Sequence, residues 1–497
     1  MSSIKRKLES LVEAARARAR ADGRRVLVSV SEPMNSADPL ALLESLARNS
    51  APGDTAHELI SAGRMYWERP ADGFAMAGIG AAAMFEHSGA RRFVDTDIEW
   101  KALIDGAVIQ NDSRDVPGSG PVLMGGFSFE PDGPRTAMWS GFESSHLMIP
   151  ALLVTSTPAG TCVTINILVA SDGRASADPG MLASLADSIS SGALPVNFDA
   201  SEPAAAEINR TNLSTSEEWR EIVQAAITEI HAGRLEKVVV ARAMHVSSSE
   251  TIDVFAMLRH LRSTYVQSFV FGIWQSGRAL VGASPERLIR ITGREVEASS
   301  LAGTIRRGAT PSEDAANITM LLESAKDLAE HAAVRNELHA ALSDSCDDVR
   351  APRKPSILTL PHVHHLHTSI RARLRENGSV LDLVAQLHPT PAVGGSPRDE
   401  ALRFLEKHES LDRGWYAAPV GWLGLDGGEF AVALRCAIVD DDEAVLFAGC
   451  GIVADSDPDL EYAESTLKLQ AMDSSIAASV PGASSDLVMT TVSERSL

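Results

Sequence analysis

The sequence predicts an α+β fold built around a large, mostly antiparallel sheet. Short β-like runs fill the first 200 residues, and the second half mixes such runs with helical stretches in no regular βαβ alternation. The residues AVILMFWYC make up 44% of the chain, enough for a sizeable core. At 497 residues the chain is long for one compact core, so two lobes or one large layered domain are expected.

In chain order, SIKRKLESLVEAARARARAD at the N-terminus is a charged amphipathic segment without the apolar run of a secretion signal. It reads as a solvated surface helix, with membrane or partner docking as the alternative. RVLVSVS (25–31), PVLMGGFSFEP (121–131), HLMIPALLVTS (146–156) and CVTINILVAS (162–171) read as strands and make residues 1–200 a β-rich lobe. Small polar residues from Asn197 to Ser216 read as a linker, whose TSEEW end looks like a capped helix start. A helix from about Trp219 to Ala232 and the strand KVVVARAMHV open a second region, 214–475. There FVFGIW, RALVGAS, HTSIRARL, EFAVALRCAIV and AVLFAGCGIV are strand-like, whereas residues 316–342 carry one long helical periodicity. Residues 476–497 lose apolar periodicity and read as a frayed tail.

The balance of 45 Lys and Arg against 66 Asp and Glu leaves a formal charge of −21, which argues against nucleic acid or an anionic membrane surface as partner. An anionic ligand then needs a local basic or metal site. No apolar run approaches the roughly 20 residues of a membrane span. Cys162, Cys346, Cys436 and Cys450 are widely spaced without a CxxC or zinc pattern, as expected of reduced thiols in a cytoplasmic protein.

Asp327 with Glu330, and Glu461 with Glu464, lie three residues apart on expected helices, so each pair shares one helical face. Acids facing one site ask for a hard cation. Mg2+ takes only about one or two carboxylates and keeps water and substrate oxygens for its other positions, which points to an anionic substrate. Either pair could instead be a solvated helix face. The GCG turn at 449–451 favours the first reading, because Gly permits close approach to backbone N–H groups. Lys237 opens an apolar strand, where desolvation favours the neutral amine of a general base; the alternative is a strand-end lysine snorkelling to solvent. Glu286 follows a strand and a Ser-Pro turn, a usual place for an active-site group, or else it is a solvated turn acid. Arg435, amid apolar strand residues, needs a carboxylate partner from protein or substrate. His362, His364, His365 and His367 lack the Cys partner or HExxH helix that would favour a metal site.

Together KVVVARA (237–243), GASPERL (282–288), LAGTIRRG (301–308), SAKDLAEH (324–331), HHLHTSI (364–370), HPTPAVGGSP (388–397), DRGWYAAPVGW (412–422), EFAVALRCA (429–437) and AGCGIV through Lys468 resemble the chorismate-utilising enzymes, most closely the isochorismate synthases. YWERPADGFAMAGIGAA (66–82) and LMGGFSFEP (123–131) extend the resemblance more weakly over most of the chain. It implies two large antiparallel sheets flanked by helices, chorismate as substrate, Mg2+ as cofactor and a monomer or homodimer. Glu330 and Glu464 would ligate Mg2+, with Asp327 and Glu461 completing the acidic shell; Asp327 replaces the Glu of several relatives and is one methylene shorter. Tyr416, Arg435, the backbone of Gly449 and Gly451, and Lys468 would hold the enolpyruvyl carboxylate, and Ala302, Gly303, Thr304, His365, Thr390 and Ala392 would line the substrate site. Cys450 stands in place of the commoner Ala, with little consequence expected.

The resemblance also bears on product. Ammonia-using relatives usually have Gln at the place of Lys237, and relatives with a lysine nucleophile carry it where this chain has Ala302. Salicylate synthases usually place Thr where this chain has Ala392. The implied reaction is interconversion of chorismate and isochorismate, with Lys237 as base for water attacking C2 and Glu286 as acid for the C4 hydroxyl, serving menaquinone or siderophore synthesis. The alternatives are a salicylate synthase and a catalytically idle chorismate-binding homologue. LLES at 42–45 resembles a tryptophan-feedback motif but reads as ordinary helix.

Overall fold

A computed structural model describes residues 3–50, 54–192, 207–376 and 378–480. Its strands form one continuous hydrogen-bonded network with two arms that meet at the long strand Ser145–Thr157. One edge of that strand pairs with Phe74–Phe85 over most of its length; its other edge is shared by Leu123–Phe127 at one end and Gly160–Val169 at the other. Sharing works because residues Ser145 to Thr155 are buried, so both faces of the strand are covered.

The first arm runs from Phe74–Phe85 through Arg64–Arg69, Phe269–Gln275, Arg278–Ser284, Cys436–Asp440 and Glu443–Ile452 to Lys237–Ser248. The second runs from Leu123–Phe127 through Pro419–Gly424, Gly427–Val432, Arg287–Thr292 and Glu295–Arg306 to Val363–Leu374. All these pairings are antiparallel, as the sequence predicts. The adjacent strands Arg278–Ser284 and Arg287–Thr292 belong to different arms, so the short turn between them, which carries Glu286, spans the gap where the arms part.

Helices cover the outer faces. In Ser3–Asp22 the residues Ile4, Leu8, Val12, Ala15 and Ala19 recur at helical spacing and are buried against the strand Val26–Met34 and the helix Pro179–Ser190. The N-terminal segment is thus a surface helix whose apolar stripe is consumed by the fold. None of the described helices is long and apolar enough to cross a membrane.

Four details differ from the sequence reading. The periodic stretch 316–342 is two helices, Pro311–Glu323 and Ala325–Ser345, because the Ser324 hydroxyl caps the second by accepting from Asp327 N (3.2 Å). EFAVALRCAIV is likewise two strands, broken at Arg435, which has φ 47°. Within the expected linker, Ile208–Asn212 pairs with the strand Lys237–Ser248, while residues 197–206 lie outside the described residues. The expected tail also starts too early: the helix Pro458–Ser479 carries on to Ser479 with Ile476 and Ser479 buried, and only 481–497 lie outside the described residues. Its polar, small residues hid the periodicity, since Ser475 and Ser479 satisfy their hydroxyls on the backbone carbonyls of Met472 and Ile476.

Candidate active site

One cavity of about 110 Å³ gathers nearly every residue singled out in the sequence: Lys237, Glu286, Ala302, Gly303, Thr304, Asp327, Glu330, His365, Ala392, Tyr416, Arg435, Gly449, Gly451, Glu461, Glu464 and Lys468 all line it. Lys237 begins its strand opposite Ser396, beside the antiparallel strand that carries Gly449 and Gly451. Its side chain is buried, and Nζ donates to Glu330 Oε1 at 2.6 Å. Gly451 makes room for this contact. A Cβ there would sit 2.5 Å from Lys237 Cε and 3.2 Å from Glu330 Oε1, so it is the side chains rather than a backbone angle that demand glycine.

Glu286 is held by its backbone. Its N–H donates to Ser284 Oγ (3.2 Å), Ser284 Oγ donates to Val432 O (2.5 Å), and Val432 N donates to Glu286 O (3.1 Å), tying the turn to both arms. Glu286 is 3% exposed. Burial pushes it up to about 7 against the opposing pull of Lys237, the Thr390 hydroxyl and Arg435, so near neutrality it exists in both proton states. Thr390 itself does not line the cavity; its hydroxyl donates to Glu286 Oε1 at a long 3.5 Å. It supports the acid instead of walling the site.

Ala302, Gly303 and Thr304 reach the cavity through a β-bulge, where pairing with the strand Val363–Leu374 slips between Ala302 and Thr304. Gly303 occupies it with φ 81°, a conformation that favours glycine. His365 lies opposite, its Nδ1 2.9 Å from Thr304 Oγ1, and burial holds the ring well below its ordinary range. The neighbouring histidines have separate surroundings: His364 bonds Asp314 and Thr359, His367 lies near Ser299 and Ser356, and the His362 ring faces Tyr265. Among the described residues they form no metal cluster.

The acid pairs enter from two helix starts. Ser324 both caps its helix and donates its hydroxyl to the Asp327 carboxylate. Burial raises Asp327, with Ser324 opposing and Glu330 and Glu464 adding like charge. Burial alone would also raise Glu330, but the Lys237 ammonium outweighs it and keeps this carboxyl below its usual range. Glu461 is pushed up to about 7 by burial and by Glu464, while accepting from Ser456 Oγ (2.8 Å). Lys468 donates to Glu464 (2.7 Å) and to Gly449 O (2.9 Å), and Lys326 stands 4.0 Å from Glu461. Lysine ammoniums thus already partner Glu330, Glu464 and Glu461, and a hard divalent cation would bind by exchange with them. The oxygen-only chemistry of these side chains fits such an ion. A tighter geometric cluster joins Glu461 and Glu464 to Cys450 within 4.8 Å. Burial raises that thiol far above neutrality and it donates to Glu461 O (3.2 Å), so Cys450 braces the acidic helix and is no ligand.

Arg435 is the cation left over. Among the described residues its guanidinium has no ion pair and no hydrogen bond, although its surroundings are buried enough to lower it from its ordinary value. No carboxylate among the described residues therefore answers it. The sequence reading passed over Arg413, whose buried guanidinium pairs with Glu409 (2.6 Å) and donates to Val239 O (2.6 Å) and Val393 O (2.8 Å). It fastens the strand of Lys237 to the loop of Ala392. DRGWY was legible as a motif, but nothing local marked its arginine as buried.

Comparison with known proteins shows the family. Residues 12–477 match the family described as chorismate binding enzyme. The isochorismate synthase MenF of Bacillus subtilis (strain 168) is 35% identical over 456 residues, spanning 91% of this chain and 93% of the relative. The salicylate biosynthesis isochorismate synthase of Pseudomonas aeruginosa is 35% identical over 477 residues, 95% of this chain and 94% of that one. MenF, the menaquinone-specific isochorismate synthase from Escherichia coli, has a solved structure that superposes with a TM-score of 0.72 over 94% of this chain and 99% of its own, at 22% identity, which speaks to the fold. With a family match over nearly the whole chain and full-length relatives above a third identical, this protein belongs to the chorismate binding enzyme family.

Proposed function

We propose that the protein is a Mg2+-dependent isochorismate synthase, an isomerase that interconverts chorismate and isochorismate. The observation that carries the reading is the pairing of Lys237 with Glu286 in one cavity whose wall has Ala302 and Ala392 where a second amine or hydroxyl would redirect the chemistry. Lys237 takes a proton from the water that attacks C2, and Glu286 gives one to the hydroxyl departing from C4, so water is added and lost and the ring composition is unchanged. Glu286 suits the acid role because burial keeps part of it protonated near neutral pH. Lys237 acts from its neutral amine form, beside Glu330, which would hold Mg2+ in this reading. Mg2+, held by Glu330 and Glu464 with Asp327 and Glu461 around them, would neutralise and orient the ring carboxylate. Arg435 and Lys468 supply positive charge for the enolpyruvyl carboxylate.

The test is to incubate the purified protein with chorismate and Mg2+, with and without ammonium, and to separate the products. Isochorismate alone is expected, reached from either side as a mixture of the two ring alcohols, and excess chelator should stop the reaction. Pyruvate released in step with chorismate consumption would mean a salicylate synthase, and no turnover at all would mean an idle binding homologue.

A further inference from the structure

Arg435 lines two cavities, the large one described above and a small one of about 10 Å³, at the threshold of room for a single water. Apart from Arg435, the polar groups on the small cavity are Tyr265 and His362, and the rest of its wall is aliphatic. Tyr265 is 4% exposed, and its hydroxyl makes no hydrogen bond of normal geometry among the described residues, although Ser474 is a close polar neighbour. A buried phenol normally finds one. The nearby Ser474 hydroxyl is turned to the Ala471 carbonyl (3.1 Å). The His362 ring lies with its centroid 6.4 Å from that of Tyr265, and burial together with Arg435 holds it below its ordinary range, leaving a neutral ring with an acceptor nitrogen.

Arg435 needs support that the protein does not give directly. It stands at the break between two strands with φ 47°, anchored by its carbonyl accepting from Ala283 N (3.0 Å), while its side chain bonds to no described residue. A guanidinium offers five N–H donors, and a bidentate carboxylate uses two. The remainder need other partners, and Arg435 also lines the small cavity.

We propose that this cavity is a site for one ordered water, and that Tyr265, through that water, is a positioning residue that holds the Arg435 guanidinium in the orientation in which it takes a substrate carboxylate. The water accepts from an Arg435 N–H and from the Tyr265 hydroxyl and donates to the His362 ring nitrogen, which gives the Tyr265 hydroxyl the partner it lacks. The proposal rests on the assignment of Arg435 to a substrate carboxylate.

The experiment combines kinetics on the full-length enzyme with a crystal structure of the unaltered protein at a resolution that shows waters. Tyr265→Phe keeps the ring and removes the hydroxyl; it should raise KM for chorismate by about three- to tenfold with kcat within about twofold, the size expected for one water-mediated hydrogen bond. In an Arg435→Lys background the same change should add nothing further, whereas a packing role would add its full effect and would lower kcat too. The crystal structure should show a water within hydrogen-bond distance of both Tyr265 Oη and Arg435. No water there, or an unchanged KM for Tyr265→Phe beside a raised KM for Arg435→Ala, overturns the positioning role alone. A wild-type KM for Arg435→Ala overturns the carboxylate assignment and the positioning role with it.

Discussion

Glu286 and Gly451 show how single residues set the chemistry. Glu286 has a carboxyl raised from an ordinary 4.5 to about 7, so its acid form is present below about pH 7 and is lost as the pH rises through that value. In the proposed role of proton donor it should give kcat a limb that falls above about pH 7, and Glu286→Gln should abolish both the limb and most of the turnover while leaving substrate affinity close to wild type; a pH–rate series on the two proteins checks it. Gly451 is conspicuous in the sequence only as part of a glycine pair. In the fold its missing side chain is the space that Lys237 occupies, so Gly451→Ala should displace the lysine and cut kcat by about 100-fold or more with little loss of Tm. Turnover within about threefold of wild type would show that Lys237 can reach its water from elsewhere.

Ser324 decides where the acidic helix begins. The apolar periodicity of 316–342 runs straight through it, because the helices on either side present similar faces, and a sequence window averages over one residue. The local sign was there: a serine three residues ahead of Asp327 can cap. Ser324→Ala removes both the cap and the hydroxyl on the Asp327 carboxylate, and should cost about 1 kcal/mol of stability and weaken Mg2+ binding several-fold, read by denaturant unfolding and by calorimetric titration of the metal. Unchanged metal affinity would place Asp327 outside the cation site. The Gly303 bulge is the opposite case, since its LAGT residues were legible as part of a motif while the slipped register that turns three consecutive residues toward one cavity emerges only when the partner strand is in place.

At the scale of the whole molecule the site lies where the two arms of the sheet diverge, and buried charge holds the pieces together. Arg413 and Glu409 are almost wholly buried; the arginine reaches two backbone carbonyls on separate elements, and Glu409 also accepts from Ala241 N (2.8 Å). Removing one partner leaves the other buried and uncompensated, so Glu409→Gln should destabilise by about 3–5 kcal/mol, measured as a fall in the urea midpoint with an unchanged m-value. The Lys237 strand and the Ala392 loop would then lose their common anchor.

By itself the sequence determined the strands, the helical faces of Asp327 with Glu330 and Glu461 with Glu464, and the identity of the groups that meet, because periodicity, capping and residue chemistry are properties of short stretches. What it could not contain is pairwise distance. That Lys237 is bonded to Glu330, 93 residues away, that Thr390 supports Glu286 without touching the cavity, and that Arg435 has no side-chain partner among the described residues while Arg413 has three, all depend on which elements the sheet brings side by side. Burial and charge pairing arise from that assembly, and they decide which acids are raised, which are lowered and which cation is left unpaired among the described residues.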